Sequence, residues 1–398
     1  MLHAALGFNG SFSAPHRAAA LAGKEILDAG GTAIEAMVAA AATIAVVYPH
    51  MNGIGGDGFW LIRRKGEEPV AISGCGKAAA LATAEWYADR GYRDHIPERG
   101  GLAALTVPGT VDAWRLALDL VPETRRLPLR DLLANAVAYA KDGIAVTGNQ
   151  HAVTRDKLET LVDVAGFSQT YLVDGVSPAP GYRLRQEALA GTLQAISEGG
   201  TDAFYRGDIA AEHARFLDEQ ESPLRIEDFR QYEAEMEKPL WVRTSDGLLY
   251  NLAPPTQGIS SLMILAIFDR LGIGQGEGFD HLHGLVEATK QAFIIRNREL
   301  GDPAAMREPA QSWLLPGMLD GLAAQIDPKK AMPWPYPAAQ GDTIWMGAAD
   351  RDGTVVSFIQ SVFWEYGSGL TCPTTGVCFQ NRGAGFSLRN GPNKLAPG

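Results

Sequence analysis

A chain of 398 residues, 46% hydrophobic and 20% charged, can bury a large core and has the composition of an ordinary globular protein of two or three domain-sized units. Its formal charge of −11 argues against nucleic acid or an anionic membrane surface as the main partner. Three cysteines without CxxC spacing, Cys75, Cys372 and Cys378, indicate neither a zinc site nor a disulfide framework.

The first ten residues lack a basic region followed by a sustained apolar run, so no secretory signal is read. The segment Ser13-Ala14-Pro15-His16-Arg17 reads as a helix start, and helical periodicity continues from Ala18 to Leu27, ending at Gly30-Gly31. Thr32 can cap the next helix, with Glu35 at capping-box spacing. That helix, Ala33 to Val47, is apolar nearly all round and is expected to be buried. The longest apolar run, Ala36 to Tyr48, is too short to span a bilayer, and a soluble cytoplasmic protein is the resulting expectation.

Pro49 and His50 lead into a tight loop, Met51-Asn52-Gly53-Ile54-Gly55-Gly56-Asp57-Gly58, and then a strand from Phe59 to Arg63. A dinucleotide fingerprint follows a strand and opens a helix; this loop does the reverse, so it is expected to line a site rather than cradle phosphate. Val70 to Ser73 reads as a second strand, followed by Gly74-Cys75-Gly76-Lys77. Helices are expected after Thr110 through Leu120, over Leu129–Asp142 and over Gln186–Ser197. The charged segment from Gly207 to Lys238 reads as a solvated helical region. Trp241–Arg243 and Gly247–Tyr250 read as a hairpin, Ile259–Leu271 as a helix, and His281 to Leu300 as a long helix. His281 and His283 stand on different faces of that helix, which makes them poor joint metal ligands.

From Asp327 to Pro337 there are four prolines in eleven residues, a composition for an exposed connector. Directly after it, Thr343 opens an apolar strand, Asp350-Arg351-Asp352-Gly353 supplies a turn, and Thr354 to Val362 is a second β-branched run, together a hairpin. From this stretch alone two readings stand. Thr343 is an ordinary strand residue after a loop, or the chain is cut before it and Thr343 becomes an N-terminal nucleophile. In the second case its own α-amine, titrating near ~7.7–8, would serve as the base.

Several stretches, in this order, resemble the γ-glutamyltransferase family of N-terminal-nucleophile hydrolases. They are Gly30–Ala36, His50–Phe59, Thr106–Gly109, Ala253–Gly258, Glu287–Phe293 with Gly301-Asp302-Pro303, Asp342-Thr343 with Asp350–Ser357, and Tyr366–Gly369 with Asn381. The resemblance implies an α+β fold, a four-layer αββα sandwich. It further implies self-cutting when the Thr343 hydroxyl attacks the Asp342 carbonyl. Residues 1–342 would form the large piece, ending in the connector 327–342, and 343–398 the start of the small piece, apparently truncated at its C-terminus. The two pieces would stay together as a heterodimer, and pairs of heterodimers fit the same scheme. The same hydroxyl would then attack a small-molecule amide, with Ser361 beside it as the second hydroxyl of the site. No metal or organic cofactor is expected, because nucleophile, base and oxyanion donors all come from protein.

Departures from the family pattern bear on the substrate. The arginine that would bind an α-carboxylate is replaced by Cys75, a head-binding asparagine by Phe363, and the aspartate that would pair with an α-ammonium by Gly385. Arg382, with no acid expected beside it, favours a carboxylate, although it could instead be a structural partner of Asp57 or of a backbone carbonyl. The expected substrate site comprises Arg382, Phe363 and Asn381 with Gly55 and Asp57 of the tight loop, Trp364 helping to narrow it. A small amide bearing a carboxylate and no ammonium would fit, oxamate being the smallest. The alternatives are γ-glutamyl transfer or glutathione hydrolysis, acylation of a β-lactam side chain and, from another class, a degenerate binding protein that keeps the fold. That last reading draws on Thr343-Ile344-Trp345, where the family reads Thr-Thr-His, and on the absence of the family's C-terminal oxyanion-hole segment.

Overall fold

The computed structural model describes residues 7–334 and 343–398, so Asp342 and the connector from 335 onward lie outside the described residues. Among the described residues the strands are, in chain order, β1 Gly10–Ser13, β2 Asp57–Arg63, β3 Val70–Gly74, β4 Ile144–Ala145, β5 Arg183–Leu184, β6 Glu235–Glu237, β7 Leu240–Thr244, β8 Gly247–Asn251, β9 Ile344–Asp350 and β10 Val355–Ser361. Six of them make one sheet in the order β1-β9-β10-β2-β3-β6, every pair antiparallel, and the others pair as β4-β5 and β7-β8. The class is α+β. Of the two packed sheets that the resemblance implies, one large sheet is present among the described residues, the other strands there forming two-stranded pairs.

β9 and β10 lie inside this sheet, with ladders to β1 on one side and β2 on the other. Opening the peptide before Thr343 leaves all of those backbone hydrogen bonds in place. The cut pieces are therefore interleaved strands of one sheet.

Alternation assigns the two faces. Trp60, Ile62, Ile72, Met346, Ala348, Val356 and Phe358 point one way and are buried, with the Trp60 and Phe358 rings 4.5 Å apart. The helix α2, Ala33–Val47, belongs to the same core, and all fifteen of its residues are buried. Its alanines let backbones approach closely, and its capping box forms as expected: Thr32 Oγ1 accepts from Glu35 N at 3.3 Å while Glu35 Oε2 accepts from Thr32 N at 2.8 Å. Asp350 ties hairpin to helix. Its Oδ2 accepts from Ala33 N at 2.9 Å at the helix start, and its Oδ1 accepts from Thr354 N at 2.9 Å inside the turn.

A second apolar cluster joins β7 and the helices Gly258–Arg270 and Phe279–Glu299. His281 lies edge-on to Phe268, and His283 stacks on Phe279 and bonds the Asp327 carbonyl at 2.8 Å, so both histidines pack.

Two expectations are corrected. The charged stretch 207–238 is not helical throughout: helices Asp208–Glu219 and Ile226–Gln231 form, but Glu235–Glu237 adds to the open edge of β3 as a short charged edge strand. The strand expected from Phe59 begins two positions earlier, at Asp57, because the ladder with β10 runs on to the pair Ser361↔Asp57.

Candidate active site

Antiparallel register builds the site as a row. The last β9–β10 pair is Ile344↔Gln360, so the next position sets Thr343 beside Ser361, and their hydroxyl oxygens are 3.1 Å apart. Ser361 pairs with Asp57 across β2, and one step beyond Gly58↔Gly74 stands Cys75. Directly opposed residues share a face. Thr343, Ser361, Asp57 and Cys75 therefore line one end of one sheet face. Thr343 is exposed, Ser361 and Asp57 are buried, and Cys75 is half-buried.

Behind the row, Gln360 points the other way and closes the sheet onto its supports. Its Nε2 donates to Asn52 Oδ1 at 2.8 Å and to the Ala41 carbonyl of α2 at 3.2 Å, while its Oε1 accepts from Thr110 Oγ1 at 3.3 Å. Glycine is required where the tight loop meets this frame. A Cβ on Gly55 would lie 2.0 Å from the Cys378 carbonyl oxygen, and one on Gly56 would lie 1.9 Å from that of Ser361. Gly55, expected among the substrate contacts, thus serves backbone packing, and its carbonyl accepts from Gln380 N at 3.0 Å.

Arg382 is not free of acids. Its Nε and Nη2 both bond Asp57 Oδ2, so the alternative partnership with Asp57, over 325 positions, is the one that forms, and the expectation of a guanidinium with no acid beside it is corrected. The cause is the early start of β2: a fully buried carboxylate needs a cation, and Arg382 supplies it. Burial pushes the Asp57 carboxyl above its ordinary value, with the Arg382 charge opposing. Burial, the largest single influence, acts to lower Arg382, but the Asp57 charge, the neighbouring Cys75 and the hydrogen bond to Asp57 together hold the guanidinium above its ordinary value. The cation lies 5.2 Å from the Phe363 ring centre and 5.5 Å from that of Phe59, between two aromatic walls. Burial pushes the Cys75 thiol up to about 12, which disfavours the thiolate that a cysteine nucleophile needs.

Phe363 stacks on Trp364 with ring centres 5.8 Å apart, and a Cβ on Gly385 would come within 3.0 Å of Phe363 Cζ. The two departures noted in the sequence are therefore neighbours in space, and the ring at 363 crowds the position a side chain at 385 would take. Asn381, expected to touch substrate, is fully buried and bound to protein: its Oδ1 accepts from Trp364 N at 3.1 Å and its Nδ2 donates to the Glu98 carbonyl at 2.9 Å. It holds the turn that carries Phe363.

One support was not foreseen. His50 is buried beneath the 363–369 turn, its Nε2 2.6 Å from Asn149 Oδ1 and its carbonyl accepting from Tyr366 N at 2.9 Å. Asn149 carries no motif that would have marked it. Burial, only partly opposed by Asn149 and Glu365 and reinforced by His16, lowers His50 from 6.5 to about 4. His213, buried against Thr375 Oγ1 at 2.9 Å, is lowered by burial to about 3, with Glu212 opposing. Both rings are neutral in the fold and protonate below 6.5 once unfolded, so between these limits the unfolded chain binds more protons. Their contribution is complete above pH 6.5, is lost as pH falls, and levels off near pH 4 for His50 and pH 3 for His213. For His50 the loss is on the order of 3 kcal/mol. Urea unfolding between pH 7 and pH 4 should show this decline, and His50→Gln should remove its share of the slope.

A threonine hydroxyl braced by a serine, at the head of a strand that follows a proline-rich connector, is the arrangement of an N-terminal-nucleophile hydrolase, a class in which the cut itself frees the catalytic amine. The comparisons narrow this. The sequence matches the gamma-glutamyltranspeptidase family over residues 19–398, and the chain belongs to that family. It is 49% identical to an oxamate amidohydrolase proenzyme of Klebsiella pneumoniae over 96% of this chain and 72% of the relative. It is 37% identical to a glutathione hydrolase-like proenzyme of Bacillus subtilis, again over 96% of this chain and 72% of the relative. Among solved structures, a cephalosporin acylase from Bacillus halodurans superposes with a TM-score of 0.92 at 31% identity, over all of this chain and 74% of that one. The protein is a self-processing enzyme of this family, and its two pieces associate.

Proposed function

We propose that this enzyme hydrolyses a small amide that carries a carboxylate and lacks an α-ammonium group, with oxamate the leading candidate. The observation that carries this reading is Arg382, fixed by Asp57 and walled by Phe59 and Phe363 on the sheet face that bears Thr343. Two more features support it. Asp57 is committed to Arg382, and Gly385 offers no carboxylate to an ammonium, so a γ-glutamyl head would lack its counter-charge. The 49% identity to an oxamate amidohydrolase proenzyme points the same way.

The chemistry follows from groups on this chain. After the cut, the Thr343 α-amine accepts the Oγ1 proton as Oγ1 adds to the amide carbon, with Ser361 Oγ steadying the hydroxyl. The C–N bond breaks, the same amine returns the proton to the departing nitrogen, and ammonia leaves. Water then adds to the acyl-threonine ester as the amine takes its proton, the C–O bond to Oγ1 breaks, the amine returns that proton to Oγ1, and for oxamate the product is oxalate. The rival of a non-catalytic scaffold has no use for a threonine and serine hydroxyl held 3.1 Å apart at the strand head.

The test is ammonia release by the purified, cut protein from oxamate beside release of the aniline from a γ-glutamyl anilide. Turnover of oxamate with little of the anilide is the expected result. Turnover of the anilide without ammonia from oxamate overturns the proposal in favour of γ-glutamyl chemistry.

A further inference from the structure

We infer that Phe363 is a positioning residue for the nucleophile and acts through its backbone. The inference rests on Thr343 as nucleophile and goes beyond the substrate proposal, since it holds for any amide the enzyme takes. Among the described residues the non-glycine positions with positive φ are Asp174, Glu221, Glu277, Phe363 and Tyr366. The first three are exposed polar residues in turns or bends at the surface, where little packing opposes such a conformation. Phe363, at φ 81°, and Tyr366, at φ 59°, are aromatic, three residues apart, and follow directly on the strand that ends at Ser361. Strain of this kind persists only where the surroundings over-determine it.

Here they do. Asn381 N donates to the Val362 carbonyl at 3.2 Å, Trp364 N donates to Asn381 Oδ1 at 3.1 Å, and Tyr366 N donates to the His50 carbonyl at 2.9 Å. Arg99 Nη1 donates to the carbonyl of Glu365 at 2.7 Å and also to that of Gly367. On the near side of the turn, Phe363 N donates to Ser361 Oγ at 2.9 Å. Holding the Phe363 amide on Ser361 and the next amide on Asn381 leaves the intervening backbone to turn left-handed. A residue excluded from that region must release one bond or the other.

The bond to Ser361 bears on the chemistry. A serine hydroxyl has one hydrogen and two lone pairs. With one lone pair taken by the Phe363 amide, the oxygen is held in place, and it meets Thr343 Oγ1 at 3.1 Å through either its hydrogen or its other lone pair. The turn therefore sets the direction from which the nucleophile is held.

Three substitutions that all remove the ring separate backbone from side chain. Phe363→Gly and Phe363→Asn accept a positive φ, whereas β-branched Phe363→Val does not. The expected result is that Gly and Asn keep the self-cleavage half-time and kcat within a few-fold of each other, while Val slows both by about 10-fold or more, the worth of one hydrogen bond to a reacting group. KM should shift alike in all three, because each loses the same wall beside Arg382. In a Ser361→Ala background the difference between Gly and Val should vanish. Equal rates for Gly and Val, or a difference that survives Ser361→Ala, would overturn the inference. Should the Val variant not fold, Phe363→Ala against Phe363→Gly makes the same comparison with a smaller expected gap.

Discussion

Thr343→Ala is expected to purify as one uncut chain with no measurable amide turnover, at least ~10⁴-fold below the parent, as when the nucleophile of a hydroxyl-based hydrolase is removed. One hydroxyl is asked to do two things, to open its own peptide and to attack substrate, so a single substitution removes both. The fold should be unaffected, because Thr343 is exposed and the strand it heads begins at Ile344. Thr343→Ser keeps an oxygen and should cut, more slowly, at the same bond. Ser361→Ala should be intermediate, about 10-fold down in kcat, since it removes one hydrogen bond to the nucleophile. In the cut parent, kcat should rise with pH through the α-amine near ~8, because only the neutral amine accepts the proton. Intact mass reads the cutting directly. Two pieces from Thr343→Ala would end the assignment of Thr343, as would a parent cut at another bond.

What was legible in the sequence, and what was not, follows from how far apart the determining residues lie. The buried helix α2 and the helix Leu129–Asp142 form with the expected bounds, because each is one unbroken run of sequence with its start and stop signals adjoining it: the Thr32 capping box and Pro49 for the first, Pro128 and Gly143 for the second. The hairpin at Thr343 was legible for the same reason. The edge strands β1 and β6, of four and three residues, are too short for alternation to show, and only the open sheet edges beside them call them into being. The Asp57–Arg382 pair joins positions 325 apart, and no local pattern announces it. Phe363 is harder still, because phenylalanine is a poor signal for a left-handed turn; the bonds from Asn381, His50 and Arg99 that impose it come from three distant segments. Gly385 was readable as a lost acid. That the ring of Phe363 crowds any side chain at 385 is a fact of packing alone.

The pair of Arg382 and Asp57 yields the sharpest test of substrate class, provided stability and recognition are separated. Removing Arg382 alone strands a fully buried carboxylate, and breaking a buried pair in this way costs ~3–5 kcal/mol of stability whatever the enzyme binds. Arg382→Met would therefore confound misfolding with lost binding. The informative variants are Arg382→Lys, which keeps the charge but not the planar fork, and the double variant Asp57→Asn with Arg382→Gln, which removes both charges together. Oxamide is the matched probe, since it replaces the carboxylate of oxamate by a neutral amide of nearly the same shape. A charge-assisted hydrogen bond contributes ~1.5–3 kcal/mol, so kcat/KM for oxamate should fall by roughly 10- to 100-fold in the double variant. Turnover of oxamide should change by no more than a few-fold, and the ratio of the two substrates should collapse. Most of the loss should fall in KM, because the carboxylate is held equally before and during attack. Arg382→Lys should lie between, with the urea midpoint close to that of the parent. If melting temperature falls while the ratio of oxamate to oxamide stays constant, Arg382 serves Asp57 alone, and the carboxylate of the substrate must be met elsewhere on the face that carries Thr343.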